Sequence, residues 1–424
     1  MIALIAFFLL MALGVPIAFV LGVTTLIFVF VSGNTAVLES MPSRMFNGLQ
    51  NFGLVAIPMF ILLGELMNKG GITQRLIEFA QTVIGHVRGG LGYVNVLANM
   101  ALASIVGSAN AQTAIMSKTM VPFMEKEGYK RDFSTALTSA SSIIGPLIPP
   151  SMPFIVYGVT AGVSIGSLFL AGIIPGILFG IGFSIAIYFF AKKQNLSRSK
   201  RASLKEMFTA TLQVIPALII PVVILVGITT GVFTATESAA VAVVIALLVG
   251  FLFYKELKMK ELPQILLQTV ITSSAVTFLL ATSNIFGWVL NVERIPQMVA
   301  QFFTGITDNM WVFLLLINVL LLIIGMFIDG LAALILLTPI LLPIAVQFGV
   351  DPIHFGVIMV INLTLGLMTP PVGTVLFIGS SIAKISFEQL TRRMIPFLAL
   401  SFFILLVITY MPWTSLTIPN LFSG

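Results

Sequence analysis

Gly145-Pro146-Leu147-Ile148-Pro149-Pro150 lies in the middle of a long apolar segment and runs on into Ser151, Met152 and Pro153. A helix interior cannot hold three prolines in five residues, because each removes a backbone donor and clashes with the preceding turn. In a membrane, backbone opened in this way is tolerated only where protein or a water-filled cavity satisfies it. The same break occurs again as Gly366-Leu367-Met368-Thr369-Pro370-Pro371. Paired breaks of this kind are expected to be binding sites that the rest of the chain presents to opposite sides of a membrane.

Composition agrees with a membrane setting. Of 424 residues, 58% are hydrophobic and only 8% charged, and the mean hydropathy is +1.12. A soluble domain carries about 25% charged residues, so the chain reads as an all-α integral membrane protein embedded in the lipid bilayer. Its apolar runs far exceed the roughly 10 residues of a barrel strand, which excludes a transmembrane β-barrel. The basic residues behind the net charge of +6 sit in short connectors, as cytoplasmic loops require, and no nucleic-acid partner is expected. Cysteine is absent and His86 and His354 are the only histidines, so thiolate chemistry and His-based metal centres are not expected. Both histidines read as loop or interface residues. No P-loop, H-E-x-x-H or G-x-S-x-G occurs, and the chain is not expected to be an enzyme. The apolar N-terminus lacks a basic n-region and a cleavage site and is expected to remain as a span.

Along the chain, residues 2–31 form one long or broken helix, or two short ones, with a weak point at Gly14-Val15-Pro16. A span follows at about 52–67, then an interfacial segment at 68–90. Residues 91–124 are apolar but rich in small side chains, and basic residues flank them on both sides. About 34 residues are too few for two crossings and a turn, so a re-entrant hairpin is expected, with its tip near Ser104–Asn110. Residues 133–162 hold the first broken crossing, 163–170 an uncharged outer loop, and 172–191 a span. Residues 192–211 are the midpoint linker, with six basic residues within Lys192–Lys205. The second half offers spans at 212–230, 237–254 and 270–290, and a slightly acidic loop at 291–310. A second hairpin (311–345), a second broken crossing (354–383) and a last span ending at Pro412-Trp413 complete it. Thr234-Ala-Thr-Glu237 reads as a capping box.

Sliding the chain by 221 residues without a gap pairs Pro122 with Pro343, Gly128 with Gly349, Gly145 with Gly366, and Pro149-Pro150 with Pro370-Pro371. Gly158 meets Gly379, and Pro175 meets Pro396. Glycine and proline set backbone geometry, so their agreement marks an internal repeat, 1–191 against 212–424. The loop after the first hairpin is basic and its counterpart 346–353 is not; 163–170 is uncharged and its counterpart 384–393 is basic. Matching loops thus lie on opposite sides, and the repeats are inverted. Paired discontinuous helices in inverted repeats typify secondary transporters.

Freed carbonyls and helix C-termini suit Na⁺, and helix N-termini suit a carboxylate. One cation site per repeat is expected between hairpin tip and break. The tips supply Ser104, Ser108, Asn110 and Thr113 in the first copy, and Gly325, Asp329 and Gly330 in the second. A carboxylate at mid-membrane is a functional residue by default, although Asp329 also reads as a cap of its turn.

Several stretches together resemble the large membrane subunit of TRAP (tripartite ATP-independent periplasmic) transporters. They are His86-Val-Arg-Gly-Gly-Leu-Gly, Ser104–Thr113, Glu127-Gly-Tyr, Gly145–Pro150, Gly231-Val-Phe-Thr-Ala-Thr-Glu-Ser, Leu337-Thr-Pro-Ile-Leu-Leu-Pro, His354-Phe-Gly-Val and Gly366–Gly373. The resemblance implies a Na⁺-coupled, elevator-type importer of organic anions in the bacterial inner membrane. Two partners are implied, a small four-span membrane subunit and a periplasmic substrate-binding protein. Ser104, Gly145, Ile148 and Pro150 would hold one Na⁺, and Gly325, Gly366, Thr369 and Val372 another, while Ser108, Asn110 and Asp329 face the substrate. Ala235 departs from the proline of many members. Gly330-Leu331 departs from the proline and small polar residue of dicarboxylate-type members, which points toward the sialic-acid branch. The alternatives are a channel, for which the spans hold too few polar residues, and a non-transporting structural subunit.

Overall fold

The computed structural model describes residues 2–33, 36–193 and 201–422, apart from the side chains of residues 4, 36, 37, 104–106 and 193. Residues 194–200 of the basic linker lie outside the described residues. The first half contains α1 (Ile2–Ala12), α2 (Ile17–Ser32), α3 (Ala36–Asn47), α4 (Ala56–Lys69), α5 (Ile72–Ile84), α6 (Gly90–Val106), α7 (Ala109–Lys126), α8 (Arg131–Ser141), α9 (Met152–Ala161) and α10 (Ile165–Lys193). The second contains α11 (Leu204–Thr229), α12 (Ala235–Leu248), α13 (Leu262–Val292), α14 (Ile295–Ile306), α15 (Met310–Phe327), α16 (Gly330–Gln347), α17 (Pro352–Gly366), α18 (Thr374–Ala383), α19 (Phe387–Tyr410) and α20 (Trp413–Phe422). No strand occurs among the described residues. Eight of the described segments are long and apolar enough to cross a membrane.

The expected all-α fold with two hairpins and two broken helices is the one found. Moving α7 by 221 residues reproduces the bounds of α16, and α6, α9 and α10 land within one residue of the starts of α15, α18 and α19. The hairpin α6–α7 turns at Gly107, in a left-handed conformation (φ +58°) open to glycine, and at extended Ser108. Its partner α15–α16 turns at Ile328 and Asp329. Each arm has only 17 or 18 residues, about 26 Å of helix.

Packing does not follow the two halves of the chain. α2, α4, α11, α12 and α13 pack on one another, with α1 and α3 attached, and make a frame, while α5 packs on both α11 and the hairpin arm α6. The hairpins, the broken helices, α10, α19 and α20 make a second body. Bonds between the repeats tie this second body together. Tyr157 Oη of α9 donates to the Pro352 carbonyl at 2.6 Å. Arg393 Nε of α19 donates to buried Asp132 at 2.7 Å, and Thr374 Oγ1 of α18 donates to Asn110 Oδ1 of α7 at 2.8 Å. The hairpins and breaks therefore form one unit against the frame.

The structure refines the sequence reading in five places. Residues 2–31 are two helices, parted where Pro16 cannot continue α1. Residues 68–90, expected to be interfacial, and the slightly acidic stretch 291–310 hold amphipathic helices, α5 and α14. The outer loop expected at 163–170 is short, because α10 already starts at Ile165. One more helix, α20, follows the last span. His354 is buried within α17, its Nδ1 2.6 Å from Ser415 Oγ and its Nε2 3.2 Å from the Thr409 carbonyl; an Asp351 cap at the start of α17 carries it inward. The Thr234–Glu237 capping box is present, with both reciprocal bonds made.

Candidate functional site

The prolines that end α8 and α17 also organise the loops between the half-helices. In the first break, Ser151 Oγ donates to the Pro146 carbonyl and accepts from Phe154 N, so one hydroxyl both closes the loop and caps α9. In the second, Thr369 Oγ1 donates to the Leu365 carbonyl at 2.7 Å, and Val375 N reaches back to the Leu367 carbonyl at 3.0 Å. Both Pro–Pro peptide bonds, Pro149-Pro150 and Pro370-Pro371, are cis.

Each hairpin tip lies against its own break. A Cβ placed on Gly107 would stand 3.4 Å from Met152 N and 3.7 Å from the Pro150 carbonyl oxygen. On the other side the approach is closer. A Cβ on Gly366 would fall 2.3–2.7 Å from the backbone of Gly325, so α15 and α17 cross where neither carries a side chain. Among the residues expected to hold cations, Gly145, Pro150, Gly325, Gly366 and Thr369 are buried, and Ile148 and Val372 half-buried. The side chain of Ser104 lies outside the described residues. Among the described residues no cluster of three or more His, Cys, Asp or Glu occurs. A metal in these places would be held by carbonyl, hydroxyl and amide oxygens, the donor type that hard cations prefer.

Between the two tip–break pairs lies a cavity of about 370 Å³. Ser108 and Asn110 enter from the first tip, Pro146 and Pro150 from the first break, Asp329 and Gly330 from the second tip, and Thr364 and Leu367 from the end of α17. The three residues expected to face the substrate are thus together in one cavity. Asp329 has two attachments there. Its Oδ1 accepts from Leu331 N at 3.0 Å and Ala332 N at 3.4 Å, capping α16, while the exposed residue lines the cavity. Ser108 is its counterpart 221 residues earlier, and no side chain caps α7. The N–H groups opening α7 keep their partial positive charge without an acidic cap.

Sequence reasoning missed the wall opposite the tips. Glu65 and Asn68 of α4 and Thr272 of α13, all from the frame, line the same cavity. The available signal was Glu65 itself, a carboxylate inside an otherwise apolar span. The lining holds two carboxylates, Asp329 and Glu65, and no lysine or arginine among its described residues.

Residues 4–414 match the family described as "Tripartite ATP-independent periplasmic transporter, DctM component". The sialic acid TRAP transporter large permease protein SiaM of Vibrio cholerae is 41% identical over 411 residues, covering 97% of this chain and 96% of that protein. The C4-dicarboxylate TRAP transporter large permease protein DctM of Pseudomonas aeruginosa is 37% identical over 383 residues, 90% of each chain. The isethionate TRAP transporter permease protein DctMQ of Oleidesulfovibrio alaskensis is 39% identical over 419 residues, 99% of this chain and 65% of that one. In fold, the chain is similar to the Alcanivorax borkumensis YdaH transporter, with a TM-score of 0.68 at 13% identity over 92% of this chain and 90% of the other. With hairpins, breaks and matches extending over nearly its whole length, the chain belongs to the DctM family, the large permease component of the tripartite ATP-independent periplasmic transporters.

Proposed function

We propose that the protein imports an organic carboxylate coupled to Na⁺, one cation site lying at each tip–break pair and the anion between them. The observation that carries this reading is the charge of the cavity wall. A carboxylate ligand entering beside Asp329 and Glu65, with no basic side chain opposite, meets repulsion that the α7 N-terminus alone does not offset. Bound cations at the adjoining breaks supply the missing positive charge. Gly145, Ile148 and Pro150, with Ser104, would hold the first, and Gly325, Gly366, Thr369 and Val372 the second. The glycine crossing at Gly325–Gly366 and the oxygen-rich donor sets fit such ions. Ser108 and Asn110 with the α7 N-terminus would take the carboxylate, while Asp329 would accept a hydroxyl or amide proton. A polyhydroxylated acid of the sialic-acid class suits that pairing better than a C4-dicarboxylate, and relatives of both kinds are named.

The division into frame and hairpin body supports an elevator mode, in which the hairpin body carries the cavity past α4 and α13. Lys69 and the basic residues after it mark the inner end of α4, and exposed Asn68 lines the cavity, so in this reading the cavity would face the inner side. The partners would be a small four-span membrane subunit and a periplasmic binding protein, and the location the bacterial inner membrane. The DctMQ relative, of which this chain covers only about two thirds, leaves room for the small subunit in one polypeptide. The test is uptake of radiolabelled sialic acid into proteoliposomes holding both membrane subunits, with the loaded binding protein outside. Uptake is expected with an inward Na⁺ gradient and lost when choline or K⁺ replaces Na⁺; equal uptake in all three would refute the coupling.

A further inference from the structure

The first break contains a buried oxygen with no partner. Gln112 of α7 is fully buried, and its Oε1 has no hydrogen-bond donor among the described residues. This oxygen lies against Gly145, where a Cβ would come within 2.2 Å of it. The close approach requires glycine at the point where the helix breaks.

The orientation of this amide is set from behind. Gln112 Nε2 donates to the Asn99 carbonyl at 2.6 Å and to Asn99 Oδ1 at 2.8 Å. Asn99 Nδ2 donates to the Asn95 carbonyl and Oδ1, both at 2.8 Å. Asn95 Nδ2 donates to Thr138 Oγ1 at 2.6 Å, and Thr138 donates to the Ser134 carbonyl. Every N–H in the series points away from the break and every amide oxygen toward it. All four side chains are fully buried, so the aligned dipoles polarise one another in a low dielectric. Their negative end is Oε1 beside Gly145. A buried acceptor left unpaired keeps its desolvation cost, and a cation removes that cost.

We propose that Gln112 Oε1 is a ligand of the cation at the first break, held in place by the Asn99–Asn95–Thr138 series. This deepens the sodium-coupled reading above and rests on it. The second repeat has no equivalent, since the positions 221 residues on are Leu316, Leu320, Ala333 and Met359. The site is therefore particular to the first break.

The test is thermal unfolding of the purified full chain in lipid nanodiscs, titrated with NaCl against choline chloride at constant ionic strength. Gln112→Met, which keeps length but removes the oxygen, should raise the Na⁺ concentration for half-maximal stabilisation about tenfold. Gln112→Glu keeps an oxygen but loses the donors to Asn99, and its Na⁺ midpoint should stay at or below that of the wild type. If Gln112 serves only as a structural anchor, Gln112→Glu should be as impaired as Gln112→Met, which overturns the proposal. An unchanged midpoint in Gln112→Met also overturns it, while leaving sodium coupling intact. No stabilisation of the wild type by Na⁺ over choline would remove both. Should Gln112→Met not purify, Gly145→Ala displaces the same oxygen and carries the same expectation.

Discussion

The two tip–break pairs share a register and differ in what fills them. At Gly366 the neighbour is backbone, the Gly325 crossing; at Gly145 it is a side chain, the oriented amide of Gln112. The second repeat keeps its buried amides elsewhere, with Asn362 Nδ2 donating to Asn318 Oδ1 and Asn318 Nδ2 to Thr409 Oγ1. The tips differ as well: Ser108 leaves α7 uncapped, and Asp329 caps α16 with a charge. The glycines and prolines that set backbone geometry recur at the same spacing, while the polar groups were furnished separately in each copy. A pseudo-symmetric scaffold thus carries one helix N-terminus without an acidic cap and one capped by a carboxylate.

Substitutions that treat the two copies alike should therefore give unequal results. The largest effect is expected for Gly366→Ala, whose new methyl meets backbone that cannot give way; overpacking of this kind costs about 3 kcal/mol or more. The yield of folded protein and its thermal midpoint should both fall sharply. Gly145→Ala, whose methyl meets the Gln112 side chain first and the Ser142 carbonyl only at 3.1 Å, should lower stability by about 1 kcal/mol, and equal losses in the two variants would contradict the described asymmetry. Next in size, Asp329→Asn retains an oxygen for the α16 cap but removes the charge. Uptake should drop about 100-fold with little change in thermal midpoint, whereas Ser108→Ala should lose about tenfold or less. Equal rates for the wild type and Asp329→Asn would mean that the cap is the only role of Asp329.

The smallest effect concerns the tie between repeats. Arg393→Ala leaves Asp132, whose side chain is 10% exposed, without its partner; with the arginine 42% exposed, the cost should be about 1 kcal/mol. Arg131→Ala, which breaks an ion pair exposed on both sides, should shift the midpoint hardly at all. Differential scanning fluorimetry of both variants ranks the two pairs.

Much of this arrangement was legible from Gly and Pro alone, because those residues impose geometry on the chain that carries them. Both breaks and the 221-residue register follow from them, the first hairpin followed from its basic flanks and its length, and Asp329 was conspicuous as a charge in an apolar run. Other features needed the packing. Glu65 and Asn68 join the cavity only because α4 of the frame lies across from the tips. The Asn95–Asn99–Gln112 series comes from two arms of a hairpin, and its direction is visible only when each amide can be paired. The segment holding helix α5 was read only as interfacial, from Lys69, Arg75, His86 and Arg88 with Gly-Gly pairs at both ends, and its buried face of Ile72, Leu76, Ile77 and Ala80 was not picked out. Nor did the sequence indicate that the packing units would cut across the repeats, since Asp132–Arg393 and Tyr157–Pro352 join residues about 200 or more positions apart.

The central claim is one cation site in each repeat, beside a shared anion cavity. Two Na⁺ entering with one monocarboxylate carry a net positive charge inward, which a membrane potential of 100 mV drives with about 2.3 kcal/mol. The direct measurement is sialic acid uptake into proteoliposomes at fixed Na⁺ gradient, with the potential set by valinomycin and K⁺. An inside-negative potential should accelerate uptake and an inside-positive one should slow it. Uptake that ignores the potential while still requiring Na⁺ would mean one cation per anion, and would contradict a working site in both halves.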